Sequence, residues 1–479
     1  MSLAAAMEIG KQGMQVYQVA TEVVSENIAN VNTPGYSQQR VLLESAPPTT
    51  ANGFPLGTGV KIASVERVYD SLLQQQLVNA GTTSSYDSTR SQVLQQVEPV
   101  FNEIAQSGLG AAIDGFFGAW QDLSVNPTGA AEQQGVISKA KIMTDQFNYA
   151  ANTLTNTQTM QDQGVAPLTS QINQQLQNIA SLNSQIKTTQ QVSGNANEMK
   201  DQRDYLISQL AQNMGVKYTE NSDGTTDVYV TDNSASPSKD YYLVKGGQSG
   251  TVNSSGTPAV VTVTDYLGAT SNALDPTKAT PFYSTSTSGG KLWSILTMRD
   301  VTIPGYLNQV NSLANTMVSA VNNLHSNPPN SNAYTTAGVP GGNFFDPTKT
   351  TAATISVALT SASQIASSGS ATTPGDNTNA LALADLQNAN TMSGNTTTFS
   401  LYYSSLVSQV GLDVQTAKSV VSQDGAFTKQ LQTLRDSTSG VSLDQELTNL
   451  MQYQRSYQAS AKLITTTTDM MDTAINMIK

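Results

Sequence analysis

Cysteine is absent from the 479 residues, and histidine occurs once, as His325. Without thiols there is no disulfide, no thiolate metal site and no cysteine nucleophile. One imidazole is left for any hydrolytic triad. It lies in Leu324-His325-Ser326-Asn327-Pro328, where a helix is expected to end. A side chain favoured there by the helix dipole is the expectation, not a catalytic base. Charge is also scarce: only 12% of residues are Asp, Glu, Lys or Arg, and Ser, Thr, Asn and Gln take their place. The net charge of −12 argues against a nucleic-acid partner and against an anionic membrane surface. No apolar run reaches about 18 residues, so no membrane insertion is expected. Glu8, Lys11, Gln12 and Gln15 break any apolar stretch near the start, which leaves no cleaved signal peptide to expect.

Enzyme motifs are imitated but not met. Ser236-Pro237-Ser238-Lys239 fits S-x-x-K but lies in a polar loop, not on a helix. Gly290-Lys291 has Thr285 and Leu292 where a phosphate loop needs Gly and Ser or Thr. Asn221, Asp223 and Asp227 offer oxygens, yet no Glu closes a calcium loop. No catalytic, cofactor or metal site is expected.

The strongest signal is at the far end. Leu443, Leu450, Tyr457, Ile464, Met471 and Ile478 recur every seventh residue. Leu447, Gln454, Ala461, Thr468 and Ile475 interleave with them at spacings of four and three. This predicts one helix of roughly 54 Å with a thin apolar seam that needs a partner helix. Residues 2–31 follow the same logic, with Leu3, Gly10, Tyr17, Val24 and Val31 in one series and Met7, Met14, Thr21 and Ile28 in the other. Matching seams predict that the two ends of the chain pair. A thin contact line does not clearly outweigh backbone ordering at about 1–2 kcal/mol per residue. The ends are therefore expected to be largely disordered in the free monomer and helical on assembly.

The first helix should stop at Asn32-Thr33-Pro34-Gly35-Tyr36, where Pro34 and Gly35 suit the two central positions of a tight turn. Asn27-Ile28-Ala29-Asn30-Val31-Asn32-Thr33-Pro34-Gly35-Tyr36-Ser37-Gln38-Gln39-Arg40 resembles the N-terminal signature of bacterial flagellar axial proteins. The Pro-Gly-Tyr-Ser form is similar to the hook-associated protein 1 family, although that family's usual Arg-Gln after the Ser is Gln38-Gln39-Arg40 here. Val441-Ser442-Leu443-Asp444-Gln445-Glu446-Leu447, Asp201-Gln202-Arg203-Asp204, Gly289-Gly290-Lys291-Leu292 with Arg299-Asp300, and Gly375-Asp376-Asn377-Thr378 resemble the same family. Arg203 itself reads as one half of an exposed helical ion pair.

The middle of the chain is mainly helical. Leu109, Ile113, Phe116, Phe117 and Trp120 form an aromatic core face. Gly164 and Pro167 are expected to interrupt the helix that begins near Gly129. Period-2 patterns with Asp223-Gly224 in a hairpin turn mark a β-rich insert over 216–288. One strand is expected at Ala353–Leu359.

The fold class expected is α+β, mainly α, and discontinuous. Residues 1–33 and 441–479 form a terminal helical domain. A helical bundle comprises 34–215, 289–326 and 376–440. The β-rich insert is 216–288, placed farthest from the termini, and 327–375 is an irregular segment. Low charge on the terminal helices suits walls of a channel through which other chains travel, and a tube-forming structural subunit follows. The resemblance implies a subunit at the hook–filament junction, outside the cell, that contacts copies of itself in a helical or ring-like layer, the hook protein and the next junction protein. It also implies export without cleavage through the flagellar type III apparatus, with an export chaperone on the C-terminal region. A hook, distal rod or flagellin-type subunit is the alternative within the class; an enzyme in the insert is the alternative outside it.

Overall fold

The computed structural model describes residues 3–51, 54–102, 108–192, 194–233, 237–272, 274–277, 289–373 and 375–477. Helix α1 (Leu3–Ala29) leads into β1 (Gln39–Ser45), β2 (Thr49–Ala51), β3 (Phe54–Leu56) and β4 (Val60–Arg67). β1 pairs antiparallel with β4 from Gln39↔Arg67 to Ser45↔Val60, with a bulge between Leu42 and Leu43. β2 and β3 form a small hairpin within that ribbon. The Asp70 carboxylate accepts from the Leu72 and Leu73 amides and so starts α2 (Ser71–Val97). Pro99 ends it in a 3₁₀ turn, Glu98–Phe101.

Helices α3 (Leu109–Val125), α4 (Ala130–Val192) and α5 (Asn197–Asn213) follow. Strands β5 (Lys217–Glu220), β6 (Thr226–Asp232), β7 (Lys239–Lys245) and β8 (Gln248–Ser249) make one antiparallel sheet in that order. β9 (Thr251–Ser255), β10 (Val260–Thr264) and β11 (Thr270–Ser271) make another with β10 central. The remaining helices are α6 (Gly290–Thr297), α7 (Ile303–His325), α8 (Thr378–Asp385), α9 (Phe399–Ser439) and α10 (Leu443–Asn476), with a π-helical turn at Met298–Thr302. The fold is α+β and mainly α.

α4 is the spine. Its 63 residues extend about 95 Å at the standard rise. Its first half contributes Val136, Met143, Phe147 and Leu154 to a core with α3, α7, α8 and the start of α9. Phe116, Phe117, Trp120, Phe344, Phe345 and Phe399 fill that core. Its second half contributes Val165, Ile172, Leu176 and Ile179 to another core with α5, α6 and the inward faces of both sheets. Arg299 joins the two regions. It donates to Asp162 of α4 at 2.6 Å, to Asp300 at 2.7 Å and to the Ala259 carbonyl at 2.9 Å. A buried guanidinium persists because each of these acceptors offsets its desolvation.

Five expectations are corrected. Pro167 does not interrupt α4; Val165, Leu168 and Ile172 are packed on both sides of it, and tertiary burial outweighs the one lost amide. No strand forms at Ala353–Leu359. Phe345 meets Val357 in an isolated bridge, and Ile355 bonds back to Thr351 as a turn. The β module does not sit farthest from the termini: its first hairpin turn is held by α5, beside the segment that leaves α1. Arg203 is not exposed. It is buried and donates from Nη1 to the Gly224 carbonyl at 2.6 Å. His325 does end α7 as expected, but it is buried and neutral there and is not held as a cation by the helix dipole. Its Nδ1 lies 2.7 Å from the Gly342 carbonyl, its Nε2 accepts from the Ala366 amide at 3.0 Å, and Trp120 and Phe344 pack on its ring. That partner set requires the neutral Nδ1–H tautomer.

Burial pushes the His325 imidazole down from 6.5 to about 4. The unfolded chain takes up this proton between those values and the folded chain does not, so stability contributed by the neutral ring is lost as pH falls from 6.5 toward 4. As the sequence has one histidine, its resonances are unambiguous. NMR titration should show the ring neutral at about pH 5; a midpoint near 6.5 would contradict the buried geometry.

Candidate assembly interface

α1 and α10 lie antiparallel and touch along most of their length. Tyr17 stacks on Tyr453 with ring centroids 6.3 Å apart. Glycines set the closeness. A Cβ at Gly10 would lie 2.7 Å from Ile464 Cγ1 and 3.3 Å from the Ser460 carbonyl oxygen. A Cβ at Gly13 would lie 2.7 Å from Ser460 Oγ. The backbones therefore meet where side chains are smallest, and Val16, Ala20, Val23, Val24 and Asn27 bury behind them.

One heptad series of each helix faces the partner, and the other is displaced by one position. On α1, Gly10, Tyr17 and Val24 face α10, while the buried companions are Gly13, Ala20 and Asn27 in place of Met14, Thr21 and Ile28. Leu3, Met7, Met14, Ile28 and Val31 are partly exposed. On α10, Leu450, Tyr457, Ala461, Ile464 and Met471 are partly buried. The companions are Glu446, Tyr453, Ser460 and Thr467, and Leu443, Leu447 and Ile475 are exposed. Ile478 lies outside the described residues. The cause is contact distance: helices this close accept Gly, Ala, Ser and Thr between them and send Met and Leu to the flanks.

The turn motif holds the base of this pair. Tyr36 N donates to Thr33 O at 3.2 Å across Pro34 and Gly35, and Gly35 has φ +86°. A Cβ on Gly35 would also come within 2.9 Å of Tyr205 Cβ in α5, so conformation and space both require glycine. Asn32, Thr33 and Pro34 are exposed, and Tyr36 is partly buried. The Tyr36 hydroxyl donates to Asn27 Oδ1 at 2.9 Å, and Arg435 of α9 donates to the Tyr36 carbonyl at 3.1 Å. Asn27 completes its set by exchanging two bonds with the Gln39 backbone, 2.8 and 2.9 Å.

Asp201 of α5 is the body's anchor. Its carboxylate accepts from the Ser37 amide at 2.8 Å and from Arg67 at 2.9 Å. The same Arg67 nitrogen reaches Asp204 at 2.7 Å, and the guanidinium lies 4.0 Å over the Tyr69 ring. Burial pushes the Asp201 carboxyl up, and the charge of Arg67 opposes it. Gln38 N donates to the Ser439 carbonyl at 2.9 Å, which ties the joint to the end of α9. Glu26 of α1 hydrogen-bonds Glu198 of α5 and is pushed up to about 7 by that bond, by burial and by the Glu198 charge. The folded state thus holds a proton that the unfolded state releases, and this contact weakens as pH rises toward 7. Among the described residues no group of three or more His, Cys, Asp or Glu side chains could hold a metal. The geometry offers structural joining.

Gly10→Leu should force the pair apart at a cost of about 1–3 kcal/mol. Urea unfolding of the variant should report that loss. Gly118→Ala, which meets nothing within 4 Å, is the neutral control. Asp201→Ala strips a partner from Ser37 and from Arg67. Urea unfolding should report a loss of about 3 kcal/mol; a loss below about 0.5 kcal/mol would mean the anchor is replaceable.

Comparisons with known proteins agree with this architecture. The profile described as Flagellar hook-associated protein FlgK helical domain matches residues 94–345. Flagellar basal body rod FlgEFG protein C-terminal matches 435–477, and Flagella basal body rod protein matches 7–36. Flagellar hook-associated protein 1 of Bacillus subtilis (strain 168) is 29% identical over 98% of this chain and 97% of its own length. The protein of that name from Salmonella typhimurium is 27% identical over 97% and 98%. The structure of the flagellar hook junction protein FlgK from Burkholderia pseudomallei aligns with TM-score 0.63 at 17% identity, over 76% of this chain and all of that one. The helical-domain profile covers more than half of the sequence, the rod-type profiles fall on the two helices that pair, and the chain belongs to the flagellar hook-associated protein FlgK family, structural components of the bacterial flagellum.

Proposed function

We propose that the chain is a building block of the hook–filament junction, polymerising through the α1–α10 pair. The observation that carries this is apolar surface left open on α10. Leu443, Leu447, Met451, Leu463, Met470 and Ile475 are between 42% and 58% exposed in the single chain. At 3.6 residues per turn, Leu447 and Met451 fall on one side of the α1 contact and Leu463 and Met470 on the other. A helix with one partner and two open apolar flanks is suited to neighbours on both sides, as in a tube wall. The relatives are named for the hook and for a hook junction, which supports this location.

Residues 1–33 with 441–479 would act as the axial unit, and 34–215, 289–326 and 376–440 as the body that carries the 216–288 insert. Hook protein sits on one side of this layer, and the next junction protein on the other. The weakly charged polar faces of α1 and α10 line a channel. Export proceeds through the flagellar type III apparatus without cleavage, and a chaperone covers the apolar flanks of α10 until then. No catalysis, nucleic-acid binding or membrane insertion belongs to this role.

Charge on the open flanks tests it. Leu447→Glu with Met451→Glu should leave thermal unfolding of the monomer within a few degrees of the parent. The double variant should fail to add to isolated hooks in electron micrographs. Normal addition by that variant, or by a chain lacking both terminal helices, would end the proposal.

A further inference from the structure

A cavity of about 500 Å³ opens where α9 hands over to α10, against α1 and β1. Ala20, Val24, Gln38, Arg40, Glu446 and Tyr453 are among its walls. Glu446 is the unusual one. It is 1% exposed. Its Oε1 accepts from Gln38 Nε2 at 2.5 Å, and its Oε2 is buried with no hydrogen-bond partner. A carboxylate oxygen in that state costs stability until a donor reaches it, and a charged donor serves best. Arg40 borders the cavity, yet Glu446 makes no ion pair among the described residues.

Bases in want of an acid lie on the other side of the same helix. Arg455 and Lys462 of α10 are exposed and pair with no carboxylate among the described residues. Arg455 follows Glu446 by nine positions, which is about 180° around the helix and about 13 Å along it. The guanidinium therefore cannot turn inward to its own Glu446. It is presented outward, where another molecule would lie.

We propose that this cavity is a socket for a second copy of the chain, and that Arg455 of the neighbouring copy enters it to pair with Glu446. The inference rests on the assembly role proposed above and names one contact within it. An arginine suits the socket better than a lysine. Its planar, weakly hydrated guanidinium can lie against Tyr453 while donating to Oε2. Plug and socket occupy opposite faces of one helix, so the contact is heterologous. Repeated head to tail, it propagates as an open helix or closes as a ring, and never as an isolated pair.

A double-mutant cycle on the full-length chain tests this. Arg455→Gln and Glu446→Gln should each raise the protein concentration needed for polymer formation by about tenfold. The double variant should be no worse than the poorer single one, because both remove the same contact. Arg455 is exposed, so Arg455→Gln keeps the monomer fold and the test stands even if Glu446→Gln destabilises the joint. Lys462→Gln should leave the threshold within about twofold. The pairing is overturned if Arg455→Gln polymerises like the parent, if the two effects multiply, or if Lys462→Gln and not Arg455→Gln couples to Glu446→Gln. In each of those cases the parent still polymerises, which separates failure of this contact from failure of the assembly role.

Discussion

Helices from opposite ends of the chain close on each other through two glycines, and that contact governs the rest of the molecule. Because α1 and α10 are antiparallel partners, everything between residues 30 and 442 must leave from one joint and return to it. This is why the body is discontinuous in sequence. It is also why polar side chains crowd the joint. Asn27, Ser37, Gln38, Gln39, Arg67 and Asp201 come from α1, the β ribbon and α5, and each satisfies a backbone group or charge of another segment. An apolar joint would pack equally well in several registers. Directional bonds to named backbone atoms fix a single one.

The body answers a different demand. α4 threads two cores, so the aromatic region around Phe116 and the β module are parts of one rod. The buried arginines sit at the seams of that rod. Arg299 joins α4 to Ala259, the residue before β10, and Arg203 joins α5 to the first hairpin. Arg203 and Asp204 lie beside Asp201, so one turn of α5 grips the β module with one side chain and the base of the terminal pair with others. The base of the axial pair and the insert are thus joined by hydrogen bonds and ion pairs through a single turn of α5.

Long periodic elements were legible from residues alone. The helices at both ends, the aromatic face of α3 and the hairpin with Asp223-Gly224 all form where the spacing puts them. Misreadings occurred where packing overrode a local rule. Pro167 breaks helices in isolation, but here it lies on the exposed side of α4, between the buried Val165 and Leu168 that hold the helix to its core. Ile355 and Leu359 alternate like a strand, yet their segment pairs with Phe344–Asp346 through one isolated bridge only, and they serve the core as a loop. Arg203 looked solvated because charged residues usually are; its acceptor, the Gly224 carbonyl, is a backbone atom that no residue type announces.

The sequence by itself determined that two helices at the extremities each carry a thin apolar stripe, and that a Pro-Gly turn ends the first. Both follow from local geometry: helical period sets which residues share a face, and φ preferences set where the chain can reverse. Only the tertiary structure decided which atoms touch. The tightest line of contact passes through Gly10, Gly13 and Ser460, residues that an apolar count passes over. Helices pack by distance of approach as well as by hydrophobicity, and that distance belongs to the pair rather than to either sequence segment.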